Sequence, residues 1–226
     1  LFIPSPGLHM VGADLSGIEL RMLAHYLARY DGGRYAKLLL EDDIHQINAD
    51  KIGISRRQVK TVTYAFLYGA GDEKIGHSFD PQLSTAQAKK KGKEIRGAYV
   101  DAVTGLGDLL DAVKKAAERG FIKSIDGRTI KVDSPHKALN YLLQSGAGVI
   151  AKRWMVINQE TMREAQICAS QLGFIHDELQ FECAPEHVGD LSTSLVYSAT
   201  AAGEYYNMRI RIDAEATHGN NWSETH

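Results

Sequence analysis

The chain has 226 residues, of which 44% are hydrophobic and 24% are charged, and its formal net charge is -2. These values are typical of a globular protein with a sizeable core. They exclude a disulfide-rich scaffold, because there are only two cysteines, and no apolar run reaches the roughly 18 to 20 residues of a membrane span.

The predicted elements alternate in a way that indicates an α+β fold. In chain order they are a strand over 9–15, helices over 16–30, 42–53 and 55–71, a helical region over 84–120 broken at Gly97, Gly105 and Gly107, a β-hairpin over 120–132, a long helix over 136–165, a strand pair over 171–184, a helix over 186–206 and a closing strand over 208–216. Strands near both ends with helices between them predict an antiparallel sheet that carries packed helices and an inserted helical subdomain.

The charge distribution along the chain is uneven. Residues 114–137 have a surplus of Lys and Arg, and residues 89–96 read "KKKGKEIR". After Gly173, by contrast, Arg209 and Arg211 stand against nine Asp and Glu residues. This pattern is expected if one part of the protein holds phosphates and another holds cations. For "KKKGKEIR", a solvated helix face remains an alternative of equal weight.

Three ionisable residues interrupt the strand-like run "GFIHDELQFEC", namely His176, Asp177 and Glu178. A plain turn between two strands is one interpretation, although the trio lacks the Gly, Asn or Pro that tight turns favour. Asp14 follows the apolar run "MVGA" in the same manner. If the two strands pair, the two carboxylates converge and repel each other unless a cation lies between them, and Mg²⁺ favours such oxygen ligands.

The predicted helix over 55–71 carries Arg56, Lys60 and Tyr64 at a spacing of four residues. At 3.6 residues per turn these side chains form one ridge of two cations and a phenol. The ridge is either an exposed basic face with a stray aromatic residue or a surface on which a triphosphate lies, with the tyrosine under its sugar.

Taken together, "VGADLSGIELR", "RRQVKTVTYAFLYGAG" and "GFIHDELQF" resemble motifs A, B and C of the family A DNA polymerases, in that family's order and spacing. The stretches "DIHQIN", "YGAGDEKIG" and "DGRTIKVDSPHKALNYLLQS" are similar to replicative polymerases of short-tailed, podovirus-type bacteriophages. The resemblance covers essentially the whole chain. It implies a palm sheet from residues 1–30 and 121–226 and an inserted fingers subdomain from residues 31–120.

The resemblance also implies roles for individual residues in nucleotidyl transfer from a dNTP to a primer 3′-hydroxyl. Asp14, the Leu15 carbonyl and Asp177 would bind two Mg²⁺ ions, while His45, Arg56 and Lys60 would hold the triphosphate, with Lys60 also the candidate general acid. Tyr64 would lie under the sugar. Glu19 would exclude a ribose 2′-hydroxyl, although Ser16 and Glu19 also have the spacing of a helix capping box.

A further set of residues would contact DNA. The resemblance implies that Tyr68 stacks near the templating base, that Arg128, Asn140 and Gln144 reach the minor groove of the primer-template, and that His176 approaches the primer terminus. For Gln144, an ordinary surface amide on a helix is an equal alternative. Glu178 would be an acid of secondary importance beside the metals.

The implied partners are primer-template DNA and dNTP, with no membrane, in the cytoplasm of a bacterial host if a phage encodes the chain. Because Asp14 lies near the first residue, we expect a second polypeptide or a missing segment to supply a thumb and an exonuclease-like part. Two alternatives remain. The chain could be a catalytically incomplete, DNA-binding or scaffolding piece of a split polymerase. It could also be a metal-dependent nuclease or phosphohydrolase, but that activity would not explain the ridge of Arg56, Lys60 and Tyr64.

Overall fold

The computed structural model describes residues 2–226, so that only the first residue of the predicted 1–30 segment lies outside the described residues. The strands are β1 (His9–Leu15), β2 (Phe121–Lys123), β3 (Thr129–Lys131), β4 (Ala169–Ile175), β5 (Glu178–Cys183) and β6 (Ala214–Gly219). The helices are α1 (Ile18–Asp31), α2 (Arg34–Glu41), α3 (Ile44–Ile52), α4 (Arg56–Leu67), α5 (Asp72–Phe79), α6 (Thr85–Ala102), α7 (Leu106–Ala117), α8 (Ala138–Glu164), α9 (Val188–Tyr205) and α10 (Trp222–Thr225). The predicted α+β class is therefore confirmed. No described helix is both long and apolar enough to span a bilayer.

The chain divides into two compact units. A sheet unit contains residues 1–21 and 146–226, and a helical unit contains residues 22–145. Two long helices, α1 and α8, each contribute residues to both units. The expected palm and fingers boundaries at 30/31 and 120/121 stay a prediction.

The sheet unit is built on four strands in the order β4-β5-β1-β6, and all three pairings are antiparallel. The central strands β1 and β5 are almost fully buried along their length. In β5 this burial includes the polar residues Glu178 and Gln180, which are 5% and 2% exposed. Trp154 of α8 is completely buried, and its indole N–H donates to the carbonyl of Leu195 in α9 at 2.8 Å. This bond satisfies the one polar atom of the largest core side chain.

The closing strand was predicted too early in the chain. The structure forms β6 at Ala214–Gly219, whereas residues 208–213 are not in a strand. The alternation that suggested a strand reflects burial, because Ile210 and Ile212 are 5% and 0% exposed. Thr200 of α9 donates to the Ile212 carbonyl at 3.1 Å, so the backbone here bonds a helix side chain instead of a neighbouring strand.

The helical unit contains two helices, α2 and α5, that the periodicity did not predict. Two predicted helix breaks are wrong, since Gly97 lies inside α6 and Gly107 inside α7, and the chain turns at Gly105, whose φ is 80°. The predicted hairpin is confirmed as β2 and β3, with Gly127 at φ 83° in the turn.

Helices α5 and α6 approach each other closely at two glycines. A Cβ atom at Gly76 would lie 2.0 Å from the Ala88 carbonyl oxygen, and one at Gly92 would lie 1.7 Å from that of Asp72. No side chain fits at either position. The lysine-rich stretch of α6 is thus packed against α5 through its glycine. Lys90 and Lys93 are exposed, whereas Lys91 is half-buried with its Nζ 5.0 Å from the centre of the Phe79 ring of α5.

Candidate active site

The sheet unit brings the predicted metal-binding residues to one end of β1 and β5. In the antiparallel register Asp14 is opposite Glu178, and the Leu15 backbone N–H donates to the Asp177 carbonyl at 3.1 Å. Asp177 and His176 form the turn between β4 and β5, where His176 adopts a left-handed φ of 55°. The trio is therefore a turn that also presents a carboxylate beside Asp14.

These carboxylates are held in an environment that disfavours their charge. Burial, followed by repulsion from Asp177, Glu178 and Glu19, raises the pKa of Asp14 from 3.8 to about 6, although His226 opposes the shift. Burial and then the charge of Glu19 likewise raise the pKa of Asp177. A cation between groups of like charge offsets their repulsion and therefore favours their ionised forms.

The donor set fits an open site for a hard divalent ion. Among the described residues no group of three or more His, Cys, Asp or Glu side chains is arranged to hold a metal. Two carboxylates and a backbone carbonyl nevertheless suit Mg²⁺, which commonly takes one or two protein carboxylates and completes its shell with water and phosphate oxygens.

Glu178 has a structural role that its sequence position did not reveal. It is only 5% exposed and accepts a hydrogen bond from the Trp222 indole N–H at 2.8 Å. The Gln180 side-chain amide donates to the same oxygen as Trp222, and Nδ1 of His226 lies 2.7 Å from the other oxygen. Sequence reasoning missed Trp222 and His226, because nothing in the pattern links the last residues to a strand 44 positions upstream.

The helical unit carries the predicted triphosphate ridge on α4. A capping box formed by Ser55 and Gln58 fixes the start of this helix, so Arg56 lies in its first turn. Arg56 and Lys60 are exposed, and Tyr64 is half-buried. The Arg56 guanidinium is bonded to the Asp43 carboxylate at 2.6 Å, which lowers the pKa of that acid.

Asp43 connects this ridge to His45. Its other oxygen accepts from the backbone N–H of His45 and Gln46 and so caps α3. The His45 ring is 8% exposed and lies 6.2 Å from the Tyr64 ring. Burial and the nearby Arg56 charge lower the pKa of His45, with Asp43 opposing and Lys60 adding to the shift, so the imidazole is held neutral beside two cations. Sequence reasoning missed Asp43, although an Asp directly before a helix is a recognisable N-cap signal.

The aromatic end of α4 is attached to α8. Tyr64 and Tyr68 have stacked rings with centroids 6.5 Å apart, and Tyr68 is 53% exposed. The Asn140 side-chain amide donates to the Leu67 carbonyl at 2.9 Å, which satisfies one of the unpaired carbonyls at the helix end. Asn140 therefore positions the Tyr68 region as well as being a candidate DNA contact.

Of the remaining candidates, Arg128 and Gln144 are exposed and Glu19 is half-buried. Arg128, in the β2–β3 hairpin, is bonded to Asp126 at 2.6 Å, Gln144 is exposed on α8, and Glu19 lies in the first turn of α1. The candidates are divided between the two units. The sheet unit contains Asp14, Leu15, Glu19, His176, Asp177 and Glu178. The helical unit contains His45, Arg56, Lys60, Tyr64, Tyr68, Arg128, Asn140 and Gln144.

Comparison with known proteins places these sites in a family context. Residues 1–224 match the sequence model of DNA polymerase family A. The DNA-directed DNA polymerases of Enterobacteria phage T3 and Escherichia phage T7 are 35% and 34% identical to the chain over 95% of its length. That of Escherichia phage Phieco32 is 31% identical over 100%. The chain spans 33%, 33% and 41% of these three relatives.

A solved structure has the same fold. The POL domain of Pol1 from M. smegmatis, in complex with DNA primer-template and dNTP, superposes with a TM-score of 0.81. The match covers 99% of this chain and 42% of that one at 24% sequence identity.

Proposed function

Because the chain belongs to DNA polymerase family A, we propose that it forms the palm and fingers of a template-directed DNA polymerase that transfers a nucleotidyl group from dNTP to a primer 3′-hydroxyl. The observation that carries this proposal is the pairing of β1 with β5, which places Asp14 beside the turn that contains Asp177. In this proposal residues 1–30 and 121–226 form the palm and residues 31–120 form the fingers.

Asp14, Asp177 and the Leu15 carbonyl would hold two Mg²⁺ ions. The raised pKa of both acids supports this role, because their environment is unfavourable for two negative charges without a cation. When bound, such ions activate the primer 3′-hydroxyl and offset the charge that develops on the phosphates. The buried Glu178, bonded to Trp222, keeps the end of β5 in register and so positions Asp177 for this task.

Arg56, Lys60 and His45 would bind the triphosphate of the incoming nucleotide. The planar Arg56 guanidinium can donate two hydrogen bonds to phosphate oxygens, but it must first break its bond with Asp43. The exposed Lys60 serves as a point charge and as the general acid for pyrophosphate release. The neutral His45 can donate a hydrogen bond without adding a third positive charge. Tyr64 would lie under the sugar and Glu19 would exclude a 2′-hydroxyl.

Contacts with primer-template DNA would come from the remaining candidates. Tyr68 is exposed and stacked on Tyr64, as a platform for the templating base requires. Arg128, Asn140 and Gln144 would contact the minor groove, where the acceptors are nearly the same for every base pair. His176, exposed in the β4–β5 turn, would approach the primer terminus.

A second polypeptide or further segment would supply thumb and exonuclease-like parts. The support is that the chain aligns with about a third of the T3 and T7 phage relatives. Added phosphate contacts would steepen the dependence of binding on salt by about 0.9 log units per contact on duplex DNA. Addition of such a polypeptide should therefore lengthen the products and increase the salt slope together.

Primer extension with dNTP and Mg²⁺, run beside a nuclease assay on the same labelled duplex, tests the proposal. We expect template-dependent extension by the wild-type chain and a loss of several orders of magnitude in Asp14→Asn and Asp177→Asn. Duplex affinity should change little, since Lys and Arg contacts to phosphate dominate binding. Asp101→Asn, on the exposed last turn of α6, is the matched control.

Two outcomes would contradict the proposal. Cleavage of the duplex without extension, lost in the same two variants, would assign the carboxylates to a nuclease. Duplex binding without extension, even after a thumb-bearing polypeptide is added, would leave the chain as a DNA-binding piece of a split polymerase.

A further inference from the structure

A surface cavity of about 270 Å³ lies in the helical unit, apart from all the candidate active-site residues. Its walls come from α1, α7, β2 and α8, and its apolar floor contains Leu109, Val113, Ile122 and Leu142, each 8% exposed or less. The aromatic rings of Tyr30 and Phe121 stand at its edge, 39% and 37% exposed. A cavity with this lining favours an apolar occupant about the size of one large side chain.

Three cations surround the cavity. Arg29, Arg119 and Lys123 line it together with the apolar groups, and the lining contains no Asp or Glu. Within residues 2–226 none of the three forms an ion pair with a carboxylate. The Arg119 guanidinium lies 5.8 Å from the centre of the Phe121 ring, and Lys123 Nζ donates to the Thr129 hydroxyl at 3.0 Å. Their charge is therefore available to an anionic partner.

One polar atom behind the cavity wall lacks a partner. The Tyr26 hydroxyl is buried and has no hydrogen-bond partner among the described residues, although its ring packs edge-on against His25 at 5.0 Å. Burial raises the pKa of Tyr26 to about 12, so the hydroxyl remains a donor. Because this hydroxyl has almost no accessible surface, a bound molecule would not reach it, and the case for an occupant depends on the apolar floor and the three cations.

We propose that this cavity docks a peptide segment of a partner protein in which one aromatic or large aliphatic side chain is flanked by Asp or Glu residues. The apolar side chain fills the cavity, and the acids face Arg29, Arg119 and Lys123. Such an anchor in a pocket with a charged rim is the common arrangement of protein interaction sites.

A nucleic acid fits the same features less well. Its phosphates would match the three cations, but a base placed in the cavity has several polar edge atoms and would meet an apolar floor. Those atoms would lose their hydrogen bonds to water without replacement. A backbone that contacts only the rim would leave the apolar floor uncovered.

The test is fluorescence anisotropy with a short labelled peptide of alternating Gly and Asp that carries one central Phe. The 226-residue chain should bind it and should bind a Phe→Ala peptide and an Asp→Asn peptide about tenfold more weakly, the effect expected for loss of an anchor. Arg119→Ala and the cavity-filling Ala116→Leu should each weaken the Phe peptide about tenfold. Lys90→Ala, an exposed cation on α6, is the matched control and should change affinity less than about twofold.

Thermal unfolding by circular dichroism shows whether each variant folds, and Arg29→Ala replaces any that does not. Primer extension should be unchanged in Arg119→Ala, so the docking site and the proposed polymerase activity can fail separately. The proposal is overturned if the wild type does not bind the Phe peptide, if the Ala peptide binds equally well, or if Lys90→Ala weakens binding as much as Arg119→Ala. Loss of single-stranded oligothymidylate affinity in Ala116→Leu, with peptide binding unchanged, would assign the cavity to nucleic acid instead.

Discussion

Removal of the charge of Asp14 tests the proposed metal site without any substrate. The pKa of this acid is about 6 in the folded chain against 3.8 ordinarily, so the folded state binds the proton more tightly than the unfolded state does. Stability contributed by a raised acid pKa is present at low pH and is lost as pH rises through about 4 to 6. At pH 8 the ionised Asp14 therefore destabilises the fold.

The size of this effect follows from the shift. About two pKa units correspond to about 3 kcal/mol at 1.36 kcal/mol per unit. Asp14 remains exposed to solvent over much of its surface although its carboxylate is partly buried, so solvent screening reduces the expected value to about 1 kcal/mol. The free energy of unfolding of Asp14→Asn should thus be about 1 kcal/mol higher than that of the wild type at pH 8. This difference corresponds to a Tm that is higher by about 2 to 4 °C.

Urea unfolding at pH 8 and pH 4, with EDTA present, measures the difference. The advantage of Asp14→Asn should shrink towards pH 4, whereas Asp101→Asn should show no such pH dependence. Addition of MgCl₂ at pH 8 should raise the Tm of the wild type more than that of Asp14→Asn, because a ligand stabilises the state that binds it. An Asp14→Asn chain that is no more stable than the wild type at pH 8 would refute the reasoning.

Three further outcomes follow from the helical unit. Lys60→Ala should raise the apparent KM for dNTP about tenfold and slow single-turnover extension about tenfold, with duplex affinity unchanged. An effect on duplex affinity alone would place Lys60 on the DNA-binding face. Tyr64→Phe should lower dideoxynucleotide incorporation about tenfold in competition with dNTP, since the phenol hydroxyl replaces a contact of the missing 3′-hydroxyl; equal incorporation would remove that role. Asn140→Ala should lower the free energy of unfolding in urea by about 1 kcal/mol, because the hydrogen bond to the Leu67 carbonyl is lost. The exposed control Gln144→Ala should lower it by less than about 0.5 kcal/mol. Equal losses in the two variants would mean that the bond adds no stability.

The sequence predicted those elements whose pattern is determined locally. The first strand is found at His9–Leu15, as expected, and helix α4 begins at Arg56, directly after the cap residue Ser55. The hairpin around Gly127 follows from turn chemistry in the same way. In these segments neighbouring residues supply both the periodicity and the boundary signals.

Features that depend on distant partners were not predictable in this way. The alternation of Ile210 and Ile212 is the same for a strand and for a loop buried against α9, and only the bond from Thr200 distinguishes them. The network of Glu178 with Trp222 and His226 joins residues far apart in sequence. Residue types and order indicate where the acids lie, but not which groups hold them there.

The glycine contacts between α5 and α6 fix the distance between these two helices. Since Gly76 and Gly92 leave no space for a side chain, the pair cannot slide or separate by a small adjustment, and any movement must carry both helices together. Probes attached at exposed positions such as Lys74 on α5 and Lys90 on α6 should therefore keep a constant spacing under all conditions in which the chain is folded. Such a doubly labelled protein would give an internal distance standard against which movements of other helices could be measured. Substitution of Gly92 by alanine leaves the charge of the surrounding lysines unchanged and should make the distance between the two probes variable.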